Sequence, residues 1–323
     1  MPAVVETWHR FDICRIDDLG SAIFGAELEA IQMPGRRVRG SLAFAARDGI
    51  AFSSGLIDGN VLVRGAFSAD AITLGVILRI GSGSRLWLNN VSKGSAGVLL
   101  PGEECDLLCR GNALYVAATL SAARLKQQFA RHGLALDRNL LDRSGLHPAP
   151  LAASAVRWLS GQVAAIHDAK STAEIDRPGI GSNFIEVIVS HYARAPLGRD
   201  ETSHPGSRAQ IVRAACKYIA RHLDSPISIE ALSQAASTSR RTLFRAFSEL
   251  LDDTPRDYVR RLRLHRIRRD LVTHTEATVS SAAQSWGMGR DMGRLARDYR
   301  TLFGESPSAT LALGRALQHD TPL

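Results

Sequence analysis

The sequence predicts an α+β chain: a β-rich N-terminal domain, a helical connector, and an all-α C-terminal domain in which two helix-turn-helix units are joined by a long helix. Three observations predict it. Short apolar runs broken by glycine and turn dipeptides fill residues 36–120. At Ser121 the apolar spacing changes to that of a helix. In the last third, two helix-turn-helix patterns recur about fifty residues apart, at 229–251 and 279–303.

Residues 16–25 read as one or two helical turns. Turn signals follow at Asp48-Gly49, Asp58-Gly59, 81–84 and Pro101-Gly102, with alternation at Val61 and Val63. This spacing predicts an antiparallel sandwich or barrel of short strands. From Ala122 a helix is predicted with Leu125 and Phe129 on one side and Gly133 at its end. Two more amphipathic helices follow at 151–169 and 183–195. Their apolar sets (Val156, Leu159, Val163 and Ile166; Phe184, Val187, Ile188 and Tyr192) suit packing within the domain or against a second subunit. Prolines, glycines and charges crowd 195–207, the composition of an exposed linker. The expected boundaries are 1–120 for a regulatory domain, 121–207 for the connector, dimer surface and linker, and 208–318 for the helical domain.

In that last domain Ile211, Ala215, Ile219 and Leu223 form a helical stripe, and Ser228 caps the next helix. Pro255 begins the long connecting helix, which runs to about Thr273. Tyr258, Val259, Leu262, Ile267 and Leu271 are its predicted apolar side; Arg256, Arg260, Arg261, Arg263, Arg266, Arg268 and Arg269 are assigned to its surface.

The net charge of +8 is unevenly placed. Residues 1–207 carry 21 Lys and Arg against 20 Asp and Glu, whereas 208–323 carry 19 against 12. Localised basic charge is what neutralising DNA phosphates requires. It coincides with a motif whose second helix enters the major groove, so two motifs on one chain suit two successive grooves. In the first, Ser239 is the expected N-cap of the recognition helix, with Arg240, Arg241, Thr242 and Arg245 in its first two turns. In the second, Arg290, Arg294 and Arg297 are placed in the equivalent stretch. Each arginine can meet a guanine edge or a phosphate. Double-stranded promoter or operator DNA is the expected partner.

From about Ile211 to Leu313 the chain resembles the DNA-binding domain of AraC/XylS-type bacterial transcription regulators. The residues that carry the resemblance are Ile229, Leu232, Ser239, Leu243, Arg245, Phe247 and Pro255, then Val279, Ala283, Gly287, Phe303, Gly304 and Pro307. The strings TLFRAF (242–247), RRLRLHRIRRDL (260–271) and DYRTLFGESPS (298–308) are most similar to a subgroup of ethanolamine and aromatic-amine regulators, as are Gln32, Pro34 and Gly35. The resemblance implies a cupin-like β-rich domain that binds an unknown small-molecule effector or dimerises, a homodimer, contact with RNA polymerase, and a bacterial, cytoplasmic regulator or activator. Departures are Ser237 and Asp252 where glycine is usual, Met288 for phenylalanine, Leu295 where an aromatic is common, and one extra residue near 289–293.

Other classes fit less well. No apolar run reaches the ~18 residues of a membrane helix, and residues 1–10 lack the apolar core of a secretory signal. The four cysteines, Cys14, Cys105, Cys109 and Cys216, have no CxxC spacing, which disfavours structural zinc or a disulfide framework. A cupin-type enzyme fused to a DNA-binding domain needs His ligands on strands, but residues 10–131 contain no histidine. Glu103, Glu104 and Asp106 read as loop and edge charges, and Cys105 and Cys109 share a strand face without partners. No catalytic residue, metal or cofactor is expected. A nonspecific DNA-binding protein shares the charge but needs neither two spaced recognition helices nor a large neutral domain.

Overall fold

A computed structural model describes residues 5–136, 138–168, 174–194, 207–274 and 276–319. The chain divides into two compact units, Met1–Ser203 and His204–Leu323. The linker expected at 195–207 falls almost wholly outside the described residues.

The first unit begins with β1 (Val5–Ile13), β2 (Glu29–Gln32), β3 (Arg39–Arg47), β4 (Ile50–Asp58), β5 (Val61–Ala66), β6 (Ile72–Arg79), β7 (Arg85–Leu86) and β8 (Asn89–Asn90). It continues with β9 (Ala96–Leu99), β10 (Glu104–Cys109), β11 (Asn112–Leu120), α1 (Ala122–Arg131), β12 (Gly145–Leu146), α2 (Ala153–His167), β13 (Glu174–Pro178) and α3 (Ile180–Arg194). One antiparallel sheet runs β12-β9-β6-β11-β4-β3-β1-β13 and the other β2-β5-β10-β7-β8. The β3–β4 hairpin shows how local chemistry sets register. Asp48 and Gly49 both adopt positive φ, 51° and 71°, and bring Arg47 opposite Ile50. Such a turn matches the strand twist and favours Asp-Gly.

Helices α1 to α3 do not form a separate connector. Phe129, Leu159, Val163, Phe184 and Ile188 share one buried core with Trp8, Phe52, Leu74 and Val116 from the strands. The amphipathic faces of α2 and α3 are thus spent on the sheet, at about 1.5–3 kcal/mol for each large apolar side chain buried. Glu6 fastens this layer. Its buried carboxylate accepts from the backbone N–H of Gly181 (2.6 Å) and Ser182 (3.1 Å), capping α3 from a strand 175 residues away in sequence. On the opposite face of the large sheet the Tyr115 ring lies so close over Gly55 that a Cβ there would come within 2.8 Å of Cζ.

His167, at the end of α2, is buried between two serines. Ser54 Oγ donates to the Tyr115 carbonyl (2.7 Å), so it must accept from His167 Nε2 (2.9 Å); Nδ1 then accepts from Ser41 Oγ (2.7 Å). Burial, aided by the Arg10 charge, lowers the ring's pKa to about 4. The unfolded chain protonates this ring below about pH 6.5 and the folded chain does not until about pH 4, so its contribution to stability is lost as pH falls through that window, by up to about 3 kcal/mol. Denaturant melts of the first unit at pH 7 and pH 5 are expected to differ less in His167→Gln than in the wild type. Equal pH dependence would show that the ring is not held neutral.

The second unit is all helix: α4 (Ser207–Arg221), α5 (Ile229–Ala235), α6 (Arg240–Leu251), α7 (Pro255–Thr273), α8 (Val279–Ser285), α9 (Met292–Phe303) and α10 (Pro307–His319). Ser228, Ser239, Thr254, Thr278 and Asp291 cap α5 to α9, each accepting a backbone N–H from three residues on. The two repeats end their first helices identically. Ser237 N–H reaches Gln234 O and Thr238 N–H reaches Ser233 O; Gly287 and Met288 do the same with Gln284 and Ala283. This closure needs a left-handed residue, and Ser237 (φ 47°) fills the place of Gly287 (φ 66°). Ser237→Gly is therefore expected to stabilise the second unit by about 1 kcal/mol. A thermal melt showing no rise would contradict the strain.

Between repeats, α7 corrects the expectation of an arginine-covered surface. Arg268 is buried, its side chain 3% exposed, paired with Glu305 and lying 4.9 Å from the Phe303 ring centre. Arg261 binds Asp253 at 3.2 Å, and Arg263 donates to the carbonyls of Leu223 and Ser225. Much of the charge on this helix thus holds the helical unit together; Arg256 and Arg269 remain exposed.

Candidate nucleic-acid interface

In the first repeat, Leu243, Ala246, Phe247, Leu250 and Leu251 bury one side of α6. Arg241 and Arg245, one turn apart, emerge on the exposed side. Ser239 caps the helix through Thr242 N–H (3.2 Å), and the two hydroxyls lie 2.9 Å apart. Arg240 turns back to an exposed ion pair with Glu230 of α5. Two arginines of α6 therefore point outward without such a tie, and the third is held at the helix start.

The second repeat starts its recognition helix later than the spacing of arginines suggests. Four residues, 236–239, separate α5 from α6, whereas six, 286–291, separate α8 from α9. Asp291 caps α9 by accepting from Arg294 N–H at 2.8 Å. Arg290 consequently lies in the turn, outside the recognition helix in which it was placed above. Arg294 and Arg297 are on α9 and exposed. Met292 and Gly293 occupy the first-turn positions that Arg240 and Arg241 hold in α6, and Met292 is 36% exposed. Leu295 and Tyr299 anchor α9 in a core with Leu264, Ile267 and Ala283.

A cleft of about 360 Å³ opens between the repeats, over the start of α7. Arg256, Arg260, Arg290 and Arg294 line it above apolar Ile229 and Leu295. Asp298 lies within it, its Oδ2 3.8 Å from both Arg260 Nη1 and Arg294 Nε. Arg256, Arg260 and Asp298 were not among the site residues expected from sequence. Arg256 and Arg260 signalled themselves only by lying near the start of α7 in a basic segment, and Asp298, in the middle of α9, gave no signal.

Residues 232–312 match the family described as a helix-turn-helix domain. A probable AraC family transcriptional regulator from Rhodopseudomonas palustris, a solved structure, is 38% identical over 32% of this chain and 97% of its own, with a TM-score of 0.32. The second unit is an AraC/XylS-type helix-turn-helix domain. Two curated relatives align through about two fifths of this chain. The probable thc operon regulatory protein of Rhodococcus erythropolis is 32% identical over 127 residues, 39% of this chain and 37% of its own length. The XylDLEGF operon transcriptional activator of Pseudomonas putida is 29% identical over 134 residues, 41% of this chain and 39% of its own. The chain thus spans less than two fifths of the length of these relatives. Ser237 and Asp252, which stand where the resemblance led glycine to be expected, both adopt the left-handed backbone that glycine favours, at φ 47° and 55°.

Among the described residues, no group of three or more His, Cys, Asp or Glu could hold a metal ion. No helix among them is long and apolar enough to cross a membrane.

Proposed function

We propose that this chain is a sequence-specific DNA-binding transcription regulator in which α6 and α9 read two successive major grooves. One observation carries the reading: two repeats with the same inter-helix closure each present a capped helix with exposed arginines in its first two turns, Arg241 and Arg245 in one and Arg294 and Arg297 in the other. The relatives named for operon regulation and activation support a role at promoters; contact with RNA polymerase is part of the same proposal. Ser239, Arg240, Thr242 and Arg290 belong to the same DNA surface as phosphate or positioning contacts. The neutral β-rich unit is assigned to a small-molecule effector and to homodimer contacts in the cytoplasm, and the resemblance of strings such as TLFRAF to the ethanolamine and aromatic-amine regulators supports assigning the chain to that subgroup.

The test is a gel-shift competition at moderate salt with a duplex selected from a random pool by the full chain. The selected duplex is expected to bind at least about a thousandfold more tightly than random DNA. Equal competition by random duplex would make the protein a nonspecific binder.

A further inference from the structure

We propose that the cleft between the two repeats seats the DNA backbone that runs from one groove to the next, with Arg256 and Arg290 as phosphate ligands and Asp298 as the carboxylate that holds Arg260 and Arg294 until phosphate replaces it. This rests on the reading that both recognition helices engage one duplex.

Placement is the first support. Glu230 pairs with Arg240 at the start of α6, and its carboxylate feels the charge of Arg256 in the cleft wall. Arg290 and Asp291 in the opposite wall lead into α9. The cleft therefore has α5 and the start of α7 on one side and the second turn with the start of α9 on the other, and Glu230 links the first wall to the start of α6, the end of a recognition helix that enters a groove. A backbone passing from one groove to the next must cross it.

Charge is the second. Five arginines, Arg256, Arg260, Arg263, Arg290 and Arg294, line a small opening with two carboxylates, Asp291 and Asp298, and Arg263 is already held by the carbonyls of Leu223 and Ser225. Asp291 is occupied in capping α9. Asp298 Oδ2 is buried and makes no hydrogen bond, and its two arginines stand 3.8 Å off, beyond hydrogen-bonding distance. Arg260 also pairs with Asp257 at 3.4 Å; these loose contacts compete only weakly with an incoming phosphate, which accepts from arginine in a fork.

The third is the longer second turn. Its two additional residues carry Arg290 out of the recognition helix and into the cleft wall, and Arg290 is exposed. The tighter first turn provides no counterpart.

The experiment measures binding of the full chain to the selected duplex and to random duplex across a salt series. Arg256→Ala and Arg290→Ala are each expected to weaken both DNAs alike and to reduce the slope of log K against log salt by about one. Asp298→Asn is expected to tighten both and steepen the slope; unchanged affinity would remove Asp298 from the proposal. A duplex with uncharged methylphosphonates only between the two half-sites is expected to bind the wild type more weakly and the Arg256→Ala/Arg290→Ala variant no worse than ordinary DNA. Both changed arginines are exposed, and a thermal melt of each variant reports the fold separately. Unchanged salt slopes in both arginine variants, or indifference of the wild type to the neutral linkages, would overturn the proposal. Loss of preference for selected over random duplex in the wild type would instead overturn sequence-specific reading, a separate result.

Discussion

Glu305→Gln is expected to destabilise the helical unit by about 3 kcal/mol and to lower its melting temperature by roughly 10 °C. The cause is the guanidinium left behind. Arg268 is almost wholly buried, and Glu305 neutralises it from the loop that precedes α10. Thr310 joins the pair, donating to Glu305 at 2.8 Å while receiving Tyr299 O–H at 2.9 Å. Removing one member of a buried pair leaves a desolvated charge, which costs about 3–5 kcal/mol; Glu305 is 31% exposed, so the lower end applies. An apolar double replacement, Arg268→Met with Glu305→Leu, removes both charges and is expected to be milder than the single change. If the single and double variants melted together with the wild type, the pair would be a bystander.

Arg241→Ala and Arg245→Ala are expected to weaken the selected operator by about 5- to 150-fold each, the loss of one bidentate base contact of about 1–3 kcal/mol. Random duplex is expected to lose far less. The prediction follows from geometry: both side chains leave α6 opposite Leu243, Phe247 and Leu250, within the first two turns, and neither shares the tie that binds Arg240 to Glu230. Equal losses on operator and random DNA would demote both residues to phosphate clamps.

What could be read in the sequence was what is decided locally. The Ser239 and Pro255 helix starts, the Asp48-Gly49 hairpin and the apolar stripes of α2 and α3 each depend on residues within a turn or two, so spacing and residue type suffice. What escaped was set by distant partners. β1 pairs with β13 by placing Val5 opposite Pro178, and the fragments β12 and β13 gain strand geometry only from the edges they complete. The arginines of α7 look alike in sequence, but Arg268 and Arg261 differ from Arg256 through Glu305 and Asp253, which no helical period reveals. Arg290 escaped for a different reason. Asp291 stands three residues before Arg294 just as Ser239 stands before Thr242, and that cap, rather than the first arginine, marks where the helix begins.

The unequal turns have one further consequence. Repeats that opened alike, with the same side chains at both first turns, would read the same bases in both half-sites. Here α6 opens with Arg240 and Arg241 and α9 with Met292 and Gly293. A chain built so distinguishes left from right along its binding site, and on the proposed reading even a single copy would sit on a promoter as an arrow, with one end fixed toward the gene it serves.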